Sequence, residues 1–352
     1  MKNKVYILGA GCSARYGCPE AKGLVAGLEN FGRTLGDDAA RIKQCVTETV
    51  ALMQKESVKT VDDLTARLRG GSFDKLSGLP TASQSREGRI WQAKVAVAAF
   101  LLSREFGARQ TGLDGYRNLL FEICPERGTG NWQQWLRKTK SSILTFNYDR
   151  LFEIAFLISN GPNTDGKLLY GDYYLNSGFT SLFDDEIGFN SGFCFLKLHG
   201  CVGRIANMEG RDLCYRSLFG HIHPGESLEI TDGKFFPGDS SEPQFRKHPL
   251  LVFPHEKQYV QAGGQHLVYK KYVEPVWKKA EQIITEAEEI WIIGYSFSAI
   301  DRNSLIGLLS KATKCREVIV QNVNGEAERI CREMSRKHRD LQLRWEPFER
   351  AF

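Results

Sequence analysis

At 352 residues the chain is long for one domain and short for three, so we expect one large domain carrying a sizeable insertion. Apolar residues at 42% and charged residues at 25% exclude a disordered or fibrous chain, and a formal net charge of +5, spread along the sequence, is too small to argue for a nucleic-acid surface. The nine cysteines include no Cys-x-x-Cys pair, which gives no disulfide framework and fits a reduced, cytoplasmic setting.

The chain opens on Val5–Leu8, a β-rich run that ends at Gly9 and is far too short for a signal-peptide core or a membrane span. From 24 to 140 the pattern changes. Ala39–Met53, Val61–Leu68, Ile90–Phe106 and Tyr116–Ile123 carry apolar residues at helical spacing, with breaks such as Gly70-Gly71-Ser72 between them. This predicts a helical module inserted after the first strand. Strand character returns at Ser142–Phe146, a helix follows across Asp149–Ile158, and Gly161-Pro162 ends it. Leu168–Leu175 and Phe193–Leu198 read as extended. Residues 204–254 have many glycines and prolines and few clean periods, which predicts an irregular loop region or short hairpins. The last part alternates: a helix across Val268–Ala287 that Pro275 starts or kinks, a strand at Glu289–Ile293, a helix at Asn303–Lys311, a strand at Glu317–Val320, a helix at Glu326–Lys337 and an edge strand at Leu341–Trp345. The expected class is therefore α/β. Residues 1–23 and 141–352 form a core on a Rossmann-like parallel sheet with helices on both faces, and 24–140 form the insertion.

Gly9-Ala10-Gly11-Cys12-Ser13-Ala14 follows the first strand and fits G-x-G-x-x-G/A, with Ala14 last. In such a turn Gly9 permits the tight bend, Gly11 lets a diphosphate approach the backbone, and a helix N-terminus beyond offers free N–H groups, with Ser13 adding a hydroxyl. The same glycines also serve a turn that only packs strand on helix. No acidic residue about 20 positions on ends a second strand, which argues against a simple dehydrogenase.

Gly9-Ala10-Gly11-Cys12-Ser13 with Gly17-Cys18-Pro19 shortly after is similar to the GAGxS…GxP opening of the sirtuin-like superfamily, and four further motifs follow in order. Thr145-Phe146-Asn147-Tyr148-Asp149 resembles its TQNxD segment, and Leu196-Lys197-Leu198-His199-Gly200 its LHG segment. Ile293-Gly294-Tyr295-Ser296 resembles its Gly-x-Ser strand end, and Val320-Gln321-Asn322 the strand that ends in a ribose-contacting asparagine. The resemblance implies that Asn147 and His199 are the reaction-centre pair. It implies that Gly9, Ala10, Gly11 and Ser13 hold the diphosphate of NAD, that Gly294, Ser296 and Asn322 hold the adenosine half, and that Asp149 supports the nicotinamide side or the Asn147 loop.

The departures from the family pattern are specific. The zinc ribbon of the protein deacylases needs four cysteines after the histidine; here only Cys201 and Cys214 follow, without paired spacing, so no metal is expected. Glu20-Ala21-Lys22 stands where an arginine-bearing DFR segment is usual. Both features, with the helical insertion and Phe253-Pro254-His255-Glu256-Lys257, resemble the bacterial sirtuin-like proteins that hydrolyse NAD in antiviral defence. The resemblance implies an NAD glycohydrolase, with NAD as substrate, that yields ADP-ribose and nicotinamide. It implies control by assembly: a homo-oligomer, with or without a second defence protein such as a ring-forming ATPase or a nucleic-acid sensor. An NAD-dependent deacylase or ADP-ribosyltransferase, and a non-catalytic NAD- or ADP-ribose-sensing subunit, stay open as alternatives.

Local readings stay open beside these. His199 also suits a satisfied histidine at a strand end, and Asn147-Tyr148-Asp149 suits a helix cap. His221-x-His223 with Cys214 reads as solvated histidines rather than a metal site, and Trp132 and Trp135 with Lys138 and Lys140 as a half-buried helix with a wet basic side rather than a nucleic-acid face.

Overall fold

The computed structural model describes residues 2–69, 86–123, 139–160, 193–209, 212–217, 230–235, 247–254, 256, 273–297, 299–322, 329, 332 and 342–346. Its centre is strand β1, Lys4–Leu8. β1 pairs in parallel with β2, Ser141–Thr145, on one side, and β3, Cys194–Lys197, continues beyond β2. On the other side β1 pairs with β7, Glu289–Ile293, followed by β8, Glu317–Gln321, and β9, Gln342–Glu346, every pairing parallel. The sheet order is β3-β2-β1-β7-β8-β9.

The strand sequences are apolar without alternation because both faces are covered. Tyr6, Leu8, Ile143, Phe195 and Ile293 point into one core; Val5, Ile7, Leu144, Leu196, Ile290 and Ile292 point into the other. The first core is filled by the helices between β1 and β2, α1 (Gly11–Ala14), α2 (Leu24–Thr34), α3 (Ala40–Lys55), α4 (Val61–Arg69), α5 (Arg86–Arg109) and α6 (Asp114–Ile123), joined by α7 (Leu151–Asn160) after β2. Helix α5 is its axis. Residues 90–102 are all buried, the mark of a helix surrounded on every side. Helix α2 crosses it so closely that a Cβ on Gly27 would lie 2.6 Å from Phe100. Thr60 opens α4 with a reciprocal cap, its Oγ1 accepting from the Asp63 amide (3.0 Å) and donating to the Asp63 carboxylate (2.8 Å). The second core is closed by α9 (Glu274–Glu286), with Pro275 in its first turn, and α10 (Ala299–Leu309). Of the two roles expected for Pro275, it takes that of starting the helix.

One segment differs from its sequence reading. Residues 204–254 are not an irregular loop region throughout. β4 (Gly200–Glu209), β5 (Asp212–Ser217) and β6 (Lys247–Leu251) form a three-stranded antiparallel sheet in the order β5-β4-β6, so the hairpin alternative holds. Its breakers sit where a sheet tolerates them: Pro249 lies on the edge strand β6. Between β5 and β6 lies the one-turn helix α8 (Asp232–Phe235), whose Asp232 carboxylate accepts the Arg41 and Ile42 amides (2.8 and 2.9 Å) and so caps α3 from afar. The readings of Leu168–Leu175, of His221 and His223, of Trp132, Trp135 and Lys138, and of most of Glu326–Lys337 fall outside the described residues. Among the described residues no helix is long and apolar enough to cross a membrane.

Candidate active site

The five motifs sit at the carboxyl ends of β1, β2, β3, β7 and β8. From β1 the chain passes first to β2 on one flank and later to β7 on the other. That makes the β1 end a topological switch point, where open α/β sheets form their ligand crevice.

On the β7 side the strand ends are fastened together. Gly9 N–H donates to Ile293 O (2.9 Å), Gly11 N–H to Gly294 O (2.8 Å), and Gly294 N–H to Gln321 O (2.9 Å). Asn322 Nδ2 donates to Tyr295 O (2.7 Å), tying β8 to β7. A Cβ on Gly9 would lie 2.5 Å from Tyr295 Cα, and one on Gly11 would lie 2.8 Å from Gly294 O. Gly294, at φ +62°, faces Cys12 N at 2.5 Å in the same sense. These glycines let β1 and β7 approach at their ends, which is the packing role left open above. The helix expected to begin here is short. Helix α1 is a single turn, and the Cys12 and Ser13 amides are spent on Gly9 O (3.1 Å) and Ala10 O (3.0 Å). Ala10 and Ser296 are exposed, whereas Ser13, at 1% exposure, is buried with its hydroxyl inward.

Asn147 lies two residues beyond the end of β2, held by its amide N–H to Thr145 Oγ1 (3.0 Å). Its side chain reaches across to β1, with Nδ2 3.0 Å from Gly9 O and 3.2 Å from Ser13 Oγ. A carbonyl only accepts, so Nδ2 must face Gly9, and both amide hydrogens are used. The Oδ1 atom is left buried without a hydrogen-bond partner. Asp149 does not join it: its carboxylate accepts the Leu151 amide (3.1 Å) and caps α7, and its carbonyl accepts from Lys197 Nζ. Lys197 also meets Glu153 at 3.2 Å, both 2% exposed, so the lysine of the LHG-like segment anchors β3 to α7.

His199 follows β3. The Leu198 amide donates to Thr145 O (2.9 Å), and His199 O accepts the Val252 amide (2.9 Å). The imidazole is boxed by the rings of Phe146 (5.1 Å, edge-on), Tyr148 (5.9 Å) and Trp277 (6.2 Å). Trp277 is fixed by Nε1 donating to Leu198 O (2.7 Å). The histidine Nε2 lies 3.3 Å from Asp301 Oδ1 in the first turn of α10. Tyr295 packs its ring on Phe146 at 4.9 Å; burial pushes its phenol well above its ordinary pKa, and its hydroxyl is buried without a hydrogen-bond partner.

The structure thus places Gly9, Gly11, Ser13, Asn147 and His199 at the carboxyl ends of the neighbouring strands β1, β2 and β3. Gly294 and Asn322 brace the β7 side, and Asp149 stands behind. Sequence reasoning missed Asp301, Trp277 and Tyr116. An acidic residue opening the helix after the Gly294-Tyr295-Ser296 strand end was a usable signal for Asp301. Trp277 and Tyr116 carry no local signal, because only the tertiary fold brings their helices to the strand ends. Among the described residues no cluster of His, Cys, Asp and Glu could hold a metal ion.

No family model matches the chain, and no curated protein does. Solved structures that resemble it are sirtuins. One, from work on the structural basis of sirtuin substrate affinity, is 12% identical with a TM-score of 0.34 and covers 91% of this chain and 82% of its own. Sir2Tm bound to a propionylated peptide is 13% identical with a TM-score of 0.30, covering 94% and 93%. SIR2 in complex with the inhibitor EX-527, 2'-O-acetyl-ADP-ribose and a deacetylated p53 peptide is 12% identical with a TM-score of 0.30, covering 94% of each chain. Likenesses this loose carry no argument about chemistry; the fold stands on the strand order itself.

Proposed function

We propose that the protein is an NAD glycohydrolase whose reaction centre is Asn147 and His199. The observation that carries this is the buried, partnerless Oδ1 of Asn147, beside a histidine boxed by aromatic rings at a topological switch point. An acceptor kept dry without a partner has a cost that a bound hydroxyl or water would relieve. The residues fit a ribose-bearing substrate there. The diphosphate falls to the Ser13 hydroxyl, since the Gly9, Gly11, Cys12 and Ser13 amides already donate to backbone carbonyls.

The C1'–N bond of NAD breaks with its electron pair leaving on nicotinamide, a water oxygen bonds to C1', and the water's proton passes to His199. Asn147 Oδ1 accepts from that water and so aims it. Asp301, 3.3 Å from Nε2, stabilises the imidazolium that results. The aromatic walls exclude bulk water, which strengthens each of these interactions.

A role as the effector of a bacterial antiphage system, controlled by self-association or by a second defence protein, is supported by the motif resemblance and its departures at Glu20-Ala21-Lys22 and at Cys201 and Cys214. The test is to follow nicotinamide release from NAD by the purified protein, alone and with the products of neighbouring genes. His199→Ala and Asn147→Ala should each lose about 10²–10⁴ in rate, with Asp301→Asn between them and wild type. Wild-type rates in both alanine variants sink the assignment. ADP-ribose binding without turnover under every condition favours a sensing subunit instead.

A further inference from the structure

Helix α6 enters the crevice from the helical module at its first turn. Tyr116 Oη lies 2.7 Å from Ser13 Oγ, which in turn is 3.2 Å from Asn147 Nδ2. The turn that carries it is fastened to the segment after β1: Arg15 Nη2 meets Asp114 at 3.2 Å, the Tyr16 hydroxyl donates to Asp114 Oδ1 (3.1 Å), and the Gly115 amide donates to the Tyr16 hydroxyl (2.7 Å). The Tyr116 ring is wedged between Tyr16 (5.7 Å) and Phe152 (6.2 Å).

The hydrogens in this chain can be counted. Asn147 gives one amide hydrogen to Gly9 O and the other to Ser13 Oγ. A serine hydroxyl has two acceptor positions and one proton. If Ser13 donates to Tyr116, it has no proton left for a ligand. If Tyr116 donates, both acceptor positions of Ser13 are filled and its proton is directed elsewhere. Burial, then the nearby Asp149 and Cys12, holds the Tyr116 phenol well above its usual pKa, so it stays protonated and able to donate, while the 2.7 Å pair by itself admits either direction.

We propose that Tyr116 is a positioning residue: by donating to Ser13 Oγ it locks the Asn147 amide and turns the Ser13 proton toward the bound dinucleotide. This rests on reading the crevice as a dinucleotide site. It also makes the inserted module part of the site's machinery.

The experiment compares wild type, Tyr116→Phe, Ser13→Ala, the double variant and Tyr6→Phe. The readouts are nicotinamide release against NAD concentration, ADP-ribose affinity by calorimetry, and melting temperature. Tyr6 is the control, since its hydroxyl donates to Glu122 (2.9 Å) and joins β1 to the same helix away from the crevice. Tyr116→Phe should lower kcat about tenfold and weaken ADP-ribose about fivefold, as expected for one lost hydrogen bond in a positioned network. The double variant should be no worse than Ser13→Ala, because both act through one oxygen. Tyr6→Phe should shift the melting temperature by a similar few degrees and leave kcat and affinity alone. If Tyr116→Phe keeps wild-type kcat and affinity, or its loss adds in full to that of Ser13→Ala, the positioning role is overturned and the enzyme reading stands. A wild type that neither binds ADP-ribose nor turns over NAD overturns both.

Discussion

Gly200 carries the strongest conformational demand among the residues around the crevice. Its φ is +86°, and a Cβ there would lie 1.9 Å from Leu250 O. Backbone strain and a clash with backbone add, so Gly200→Ala should cost about 4 kcal/mol or more, read as a collapse of the thermal unfolding transition. A retained wild-type melting temperature would show that β4 can leave β6 freely. Residue-scale features were unevenly legible. Asn147 and His199 stand in short motifs at strand ends and could be named from the sequence. Gly9 and Gly11 could be named too, and the fold adds the packing role: their missing side chains make room for Gly294 and Tyr295. Asp301 and Tyr116 act across long sequence separations, 102 residues from His199 and 103 from Ser13, and no local pattern records that.

Between elements, buried ion pairs join the helical module to the sheet. Arg150, at the entry to α7, meets Glu105 of α5 through Nε and Nη2 (3.0 and 2.8 Å), and its amide donates to the same carboxylate (2.6 Å). Lys94 of α5 meets Glu256 at 3.0 Å, and Glu256 also accepts the Phe253 amide (2.7 Å). Glu105→Ala would remove the carboxylate facing a guanidinium that is 4% exposed, at a cost of about 3–5 kcal/mol in denaturant unfolding; a loss below about 1 kcal/mol would mean that Arg150 is compensated by other groups or by water. At the amino end of β7, burial raises the Glu289 carboxyl, but the Trp291 indole N–H and the Lys4 and Lys2 ammonium groups outweigh it and hold its pKa below the usual range. A depressed carboxyl stabilises the fold above its unfolded pKa of about 4.5, and that contribution disappears as pH falls through the lower folded value. Glu289→Gln should therefore flatten the acid limb of the stability curve below about pH 4.5 and cost less than about 1 kcal/mol at neutral pH. An unchanged acid limb would refute the pairing. The parallel strands were legible because continuous apolar runs between helical stretches have few other readings. The sheet of β4, β5 and β6 was legible only as one of two alternatives, because its glycines and edge proline mimic a loop.

At the scale of the whole molecule, the sequence pattern sufficed for the α/β class and for helical stretches between β1 and β2. It did not suffice for their place. The apolar stripes of α2 to α6 do not say which sheet face they cover, and Tyr6, Leu8 and Ile143 settle that only once folded. If assembly controls the enzyme, nicotinamide release per protomer should rise steeply with protein concentration or on adding the activating protein, with sedimentation reporting the matching change in size. A flat specific activity across dilution, with and without candidate proteins, would remove self-association from the account. The turn at Gly200 bears on where such control acts. The imidazole of His199 and the first strand of the antiparallel sheet are consecutive in the chain, and the backbone carbonyl of His199 is already bonded to Val252, just past that sheet's last strand. Whatever grips that small sheet holds the His199 side chain by its own main chain, so a shift of its strands needs no relay through the interior to be felt there.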